Sequence, residues 1–292
     1  MSQLFTGAGV ALITPFTTNN QIDYKALETI IKNQVQGNMD YLVALGTTGE
    51  SATLTFEEKS NVIQCARSNS GKLPVVVGMG GNNTQAIINQ IKKTNLDGIS
   101  GLLIVTPYYN RPSQEGMFRH YSAIANESPL PIILYNVPSR TGVNLEAETV
   151  VRLAEASDKI VAVKEASGIM SQIATISKYT PENFTMVSGD DVLALPTTTI
   201  GGKGLISVIA NALPSKVSKL MHLALAGNYS EATEIHFELI DLFKLIFKEG
   251  NPGGIKALMH FQGIINNELR SPMYRISDPT YNEIKEAYLK LK

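Results

Sequence analysis

Apolar residues in this chain gather into short runs with no polar face, of which Pro74-Val-Val-Val77, Gly101-Leu-Leu-Ile-Val105 and Ile160-Val-Ala-Val163 are the clearest. A half-exposed strand alternates apolar and polar positions, so unbroken runs predict parallel strands covered on both faces. Eight strands are predicted, near Gly9–Thr14, Tyr41–Leu45, Pro74–Val77, Leu102–Thr106, Pro131–Tyr135, Ile160–Lys164, Phe184–Ser188 and Gly204–Val208. Each is closed by Gly, Pro, Asn, Thr or Ser and followed by a helical pattern. Their starts advance by 20 to 33 residues, the length of one strand, one loop and one helix.

The helices carry their own start and stop signals. Asp23 is placed to cap a helix over Tyr24–Gln36 with Gly37 just past its end, and Thr55-Phe-Glu-Glu58 reads as a capping box. The alternation predicts an α/β fold, a (β/α)8 TIM barrel over residues 1–225. A helical C-terminal domain over residues 226–292 follows, with helical periodicity at Tyr229–Phe247, Gly254–Ile265 and Asp278–Leu291. A doubly wound open sheet shares the alternation, but the strand count and the lack of a dinucleotide fingerprint favour the barrel.

Composition narrows the function classes. Hydrophobic residues make up 43% and charged residues 17% of 292, which suits a large core and excludes a disordered chain. Twenty-five basic against 26 acidic residues give a net charge of −1, so no global field favours nucleic acid or an anionic membrane. The apolar runs are far short of the ~20 residues that span a bilayer. The start, MSQLFTGAGV, has no basic or apolar leader pattern, and the single cysteine, Cys65, forms no intrachain disulfide. The expectation is a cytoplasmic protein.

Barrel active sites lie at the C-terminal ends of the strands, so the residues there are the candidates. Lys164 ends an apolar strand with few polar neighbours. Desolvation favours a neutral amine, which attack on a ketone requires, although a lysine at a strand end also snorkels towards water. Tyr135 ends the preceding strand, where a phenol either shuttles protons or packs beneath a loop. Thr47 and Thr48 lie between glycines in Gly46-Thr-Thr-Gly-Glu50, a turn able to hold a carboxylate or simply to turn. Arg140, in the rigid loop before Gly142, suits a second carboxylate or is a surface arginine.

Other features are demoted. Gly78-Met-Gly-Gly81 and Gly201-Gly-Lys-Gly204 lack the context of nucleotide loops and read as turns. Asp190 and Asp191 read as helix caps rather than metal ligands. His120, His222, His236 and His260 fall in helical patterns without paired ligand spacing, so no metal site is expected. Cys65 sits among apolar neighbours and reads as a buried structural thiol.

Six motifs, in order, carry a resemblance: Gly9-Val-Ala-Leu-Ile-Thr-Pro-Phe16, Gly46-Thr-Thr-Gly-Glu50, Thr106-Pro-Tyr-Tyr-Asn-Arg-Pro-Ser113, Tyr135-Asn-Val-Pro-Ser-Arg-Thr-Gly142, Lys164-Glu-Ala-Ser-Gly168 and Ser188-Gly-Asp-Asp191. Over nearly its whole length the chain resembles the 4-hydroxy-tetrahydrodipicolinate (dihydrodipicolinate) synthases. These belong to the pyruvate-dependent class I aldolases that include N-acetylneuraminate lyase. The resemblance implies that Lys164 forms an imine with pyruvate and that Tyr135 relays protons. Thr47, and Tyr109 from a neighbouring subunit, complete the catalytic set. It further implies that Thr48, Ile206 and Gly189 line the pyruvate site and that Arg140 pairs with the carboxylate of L-aspartate 4-semialdehyde. A homotetramer built as a dimer of dimers is implied, with no cofactor.

A sialic-acid lyase would share Lys164, Tyr135 and the Gly-Thr-Thr-Gly loop, and Arg140 argues against it. A non-enzymatic binding scaffold would be expected to lose the lysine or the tyrosine. In lysine-sensitive members the inhibitor site matches Ser51, Ala52, Asn82 and Tyr108 here. Phe56 and Lys59 stand where those members tend to carry histidines, and a glutamate near Gln85 is missing, so lysine is expected to inhibit weakly or not at all.

Overall fold

The computed structural model describes residues 5–291. Among them, eight parallel strands close into one barrel, each bonded to its sequence neighbours, with the eighth returning to the first. They are β1 (Gly7–Ala11), β2 (Tyr41–Ala44), β3 (Val75–Gly78), β4 (Gly101–Val105), β5 (Ile132–Asn136), β6 (Ile160–Glu165), β7 (Thr185–Ser188) and β8 (Gly204–Ser207). The barrel and all eight strands agree with the sequence reading. Only β1 is displaced by more than a residue, because its expected last turn is diverted. Ile13 gives its N–H to the Asn211 side chain at 3.0 Å, and the Thr14 hydroxyl bonds Gly49 O at 2.7 Å.

The unbroken apolar runs conceal a period of two. Val43, Val76, Leu103, Ile133, Ala162, Val187 and Ile206 fill the barrel. Their outward neighbours, among them Leu42, Val77, Leu102, Leu134, Val163 and Leu205, pack under the helices. Both faces are buried, which is why the sequence shows no alternation.

The helix Tyr24–Gln36 begins where Asp23 accepts from Ala26 N at 2.9 Å. Gly37 ends it for a reason other than a left-handed turn: its φ is −78°, and a Cβ there would lie 2.6 Å from Pro214 Cβ. The capping box forms at the helix Phe56–Asn69, with Glu58 N donating to Thr55 Oγ1 at 3.2 Å and Thr55 N to Glu58 Oε2 at 2.9 Å.

The C-terminal helices Tyr229–Leu245 and Gly253–Phe261 pack on the barrel units, Asp278–Leu289 packs on both of them, and the segment between the first two reaches the barrel mouth. Asp191 departs from the capping reading. Its carboxylate crosses to the end of β8, accepting from Ser207 Oγ at 2.5 Å and from the N–H groups of Val208 and Ile209 at 3.0 and 3.3 Å. Burial raises this carboxyl to about 6. Asp190 keeps a local role, accepting from Val192 N at 3.0 Å.

Candidate active site

Strand register builds the centre of the site. β5 and β6 pair in parallel with Tyr135 opposite Lys164, and the period of two turns both side chains into the mouth of the barrel. Lys164 Nζ lies 4.5 Å from the centroid of the Tyr135 ring. Both residues are buried, at 5% and 7% exposure. Lysine is rarely buried without a partner, yet no carboxylate pairs with Lys164 among the described residues.

The next register pair, Asn136 and Glu165, faces outward and braces the first. Asn136 Nδ2 donates to both Glu165 oxygens at 3.1 and 3.0 Å, Ser167 N donates at 2.6 Å and Gln172 Nε2 at 2.9 Å. Asn144 joins through Asn136 and Gln172, so the ends of both strands are held by one buried network. Gly189, at the end of β7, leaves the lysine its space. A Cβ there would lie 3.0 Å from Lys164 Cε, 3.1 Å from its Cγ and 2.8 Å from Ala166 Cβ.

Two cavities open beside the pair. One, of about 460 Å3, is walled by Lys164, Tyr135, Thr47, Thr48, Arg140, Gly189 and Asn251, with Phe243 from the helix Tyr229–Leu245 and Phe247 just past its end. The other, of about 620 Å3, shares Thr47, Tyr135, Arg140 and Asn251 and extends to Ser51, Ala52, Lys59 and Tyr108. Thr47 and Thr48 sit in a tight turn after β2, and Thr48 Oγ1 accepts from Asn251 Nδ2 at 3.0 Å. Arg140 lies on the short helix Pro138–Thr141, exposed, with no carboxylate partner among the described residues.

Six of the sequence candidates therefore meet here: Lys164, Tyr135, Thr47, Thr48, Arg140 and Gly189. Two do not. Ile206 is fully buried in the inner cluster with Tyr135 and Val187, two residues along β8 from the register partner of Val187, and walls neither cavity. Tyr109 is 85% exposed on the loop after β4, with φ of 72°, an unusual conformation for a bulky residue, and it walls neither cavity of its own chain. Sequence reasoning missed Asn251 and the Glu165 network; the Asn251-Pro-Gly-Gly254 punctuation inside a helical region was a usable signal.

The demoted groups keep structural places. His120 Nδ1 pairs with Thr84 Oγ1 at 2.8 Å, and burial lowers the imidazole to about 4. His222 Nε2 meets Asp40 at 2.9 Å near the opposite end of the barrel. Cys65 is only half-buried, and burial raises its thiol. Among the described residues no cluster of His, Cys, Asp and Glu could hold a metal ion, and no helix is long and apolar enough to cross a membrane.

An eight-stranded barrel that presents a buried lysine at the C-terminal ends of its strands has the layout of a class I aldolase. The sequence profile of the dihydrodipicolinate synthetase family matches residues 4–291. A protein of Parabacteroides distasonis named 4-hydroxy-tetrahydrodipicolinate synthase is 48% identical over 286 residues, covering 98% of this chain and 96% of that one. The dihydrodipicolinate synthase of Aquifex aeolicus superposes with a TM-score of 0.94 at 41% identity over 98% of each chain. The chloride-inhibited enzyme of Acinetobacter baumannii, solved with pyruvate, does so with a TM-score of 0.95 at 35% identity, again over 98% of each. The chain belongs to the dihydrodipicolinate synthetase family and is an enzyme.

Proposed function

We propose that the chain condenses pyruvate with L-aspartate 4-semialdehyde to give 4-hydroxy-tetrahydrodipicolinate, in diaminopimelate and lysine biosynthesis. The observation that carries this reading is the buried register pair of Tyr135 and Lys164 at the mouth of the barrel. The Lys164 amine attacks the ketone carbon of pyruvate, and Tyr135 moves protons as the carbinolamine loses water. The cationic imine then accepts the electron pair left when a methyl proton departs. The resulting enamine attacks the aldehyde carbon and forms the new carbon–carbon bond. The amine of the adduct next attacks the imine carbon, closing the ring and releasing Lys164.

Thr47 joins the proton relay, Thr48 holds the pyruvate carboxylate, Gly189 gives Lys164 room, and Arg140 receives the carboxylate of the semialdehyde. The unpaired guanidinium beside both cavities supports that last role and disfavours a sugar-acid lyase such as N-acetylneuraminate lyase. Ile206, near the end of β8, lines the pyruvate site from the inner face of the barrel. Tyr109 serves a neighbouring subunit of a homotetramer in the cytoplasm; its outward, strained backbone supports this part. The near-neutral net charge suits small anionic substrates bound locally rather than nucleic acid or a membrane surface.

The test is direct. Pyruvate with borohydride should leave a stable adduct on Lys164, and Lys164→Arg should abolish it. Addition of the semialdehyde should give the cyclic product. An adduct on another lysine, or none, sinks the assignment.

A further inference from the structure

We propose that Asn251 is a positioning residue for the first substrate: its amide N–H fixes the Thr48 hydroxyl as a donor into the lysine cavity, towards the pyruvate carboxylate. The two side chains meet 203 residues apart in sequence, Asn251 Nδ2 donating to Thr48 Oγ1 at 3.0 Å, and their residues are only 4% and 3% exposed. A hydroxyl has one proton to give. Because Thr48 Oγ1 accepts from the amide and meets no protein acceptor among the described residues, that proton is directed elsewhere. Both residues wall the 460 Å3 cavity that Lys164 enters.

The two ends of the Asn251 amide are used unequally. Asn211, equally buried, uses both ends: Oδ1 accepts from Ile13 N at 3.0 Å and Nδ2 donates to Ala11 O and Val208 O at 2.8 and 2.9 Å. The Oδ1 of Asn251 is buried with no protein donor among the described residues. Gln34, Gln262 and Asn267 also carry unpartnered amide atoms, but of these four only Asn251 walls the cavities beside Lys164, where a bound molecule can meet it. Its segment is also held to the Thr48 turn through the buried contact of Lys256 with Glu50.

This inference rests on the reading of Thr48 as a carboxylate-holding residue, and the experiment separates the two. The readout is the pyruvate concentration that half-saturates borohydride trapping on Lys164. Asn251→Asp keeps the shape but replaces the donor with an anion, turning the Thr48 proton inward and repelling a carboxylate. Half-saturation should rise about tenfold or more while the trapping rate at saturation changes less than about threefold. Asn251→Ala should raise it less, and on a Thr48→Val background Asn251→Ala should add less than about twofold, since the group it orients is gone. Half-saturation within twofold of the unmodified protein in a folded Asn251→Asp variant would overturn the inference. So would an undiminished effect of Asn251→Ala in the Thr48→Val background, a comparison that stands even where Asn251→Asp fails to fold. Absence of any pyruvate adduct in the unmodified protein would instead sink the underlying reading, and the inference with it.

Discussion

Glu50 and Lys256, 206 residues apart in sequence, form an ion pair closed to solvent. Lys256 Nζ also donates to Glu268 O at 2.9 Å and lies 4.2 Å from the centre of the Phe16 ring. The second oxygen of Glu50 accepts from Arg270 N at 3.0 Å. Burial draws the Lys256 ammonium down to about 8 against the opposing pull of Glu50. The pair fastens the turn carrying Thr47 and Thr48 to the C-terminal helices that bring Asn251.

Breaking such a pair leaves a charge buried alone. Glu50→Gln and Lys256→Met should each cost about 3–5 kcal/mol, and the double change should recover much of the sum because no lone charge remains. Urea denaturation of the three variants measures this. A double variant as unstable as the sum of the singles would show that the pair is not the coupled unit described here.

A second clasp has a pH dependence. The Arg270 guanidinium holds both oxygens of Glu58, and chiefly by that bond lowers the Glu58 carboxyl from its ordinary 4.5 to about 2. A carboxyl depressed by folding adds stability that is present above 4.5 and lost as pH falls towards 2. Allowing for solvent screening at a partly exposed pair, Glu58→Gln should cost about 1–2 kcal/mol at pH 7. The deficit should shrink as pH falls from 4.5 to 2, and a deficit constant across that range would show that the ionised carboxylate is not the source of the stabilisation.

Much of this was legible in the sequence for a physical reason. Strands buried on both faces announce themselves as apolar runs, and a lysine ending such a run is conspicuous, so β6 and Lys164 stand out together. Tyr135 follows from the same rule one unit earlier. Asn251 is invisible by that route, because its importance comes from a contact with Thr48 across more than two-thirds of the chain. Glu165 looks like the polar end of a strand, and only the parallel register reveals Asn136 opposite it. Gly37 was readable as a helix end, but not the close approach of Pro214 that requires it.

Gly189 should tolerate no side chain. Its Cβ would press on Lys164 Cγ and Cε at 3.1 and 3.0 Å, and a misplaced nucleophile loses rate steeply. Gly189→Ala should lower the rate of pyruvate trapping about 10- to 100-fold with the circular dichroism spectrum unchanged. Trapping at the native rate would mean that Lys164 has more freedom than this packing allows.

Arg140 should separate the two half-reactions. Arg140→Ala should leave pyruvate trapping on Lys164 within about twofold, yet reduce turnover with the semialdehyde by about 1.5–3 kcal/mol, the worth of a hydrogen bond to a charged group. The exposure of the guanidinium argues for the lower end of that range. Equal loss in both half-reactions would remove the carboxylate role.

Inhibition by lysine should be weak or absent. Ser51, Ala52 and Tyr108 wall the 620 Å3 cavity, and Asn82 Nδ2 donates to Tyr108 O at 3.4 Å, so the shell expected of an inhibitor site is present. Lys59 walls the same cavity, and burial lowers its ammonium from the ordinary lysine range. A solvated residue pointing away would show neither feature. Phe56 is exposed and offers no carboxylate, and Gln85 spends its amide on Asn89 at 3.0 Å. The carboxylate on this cavity wall, Glu50, is already held by Lys256 and Arg270 N, so an incoming ammonium group would meet a like charge and no free acidic partner, at a cost of about 1–3 kcal/mol, or 5- to 150-fold in affinity. Titrating activity with L-lysine should give half-inhibition well above a millimolar, where binding is worth about 4 kcal/mol. Lys59→Ala should lower that concentration by removing the repulsion. Half-inhibition below a millimolar in the unmodified protein would mean that the ammonium finds an acceptor elsewhere in the cavity and that Lys59 turns aside to admit it.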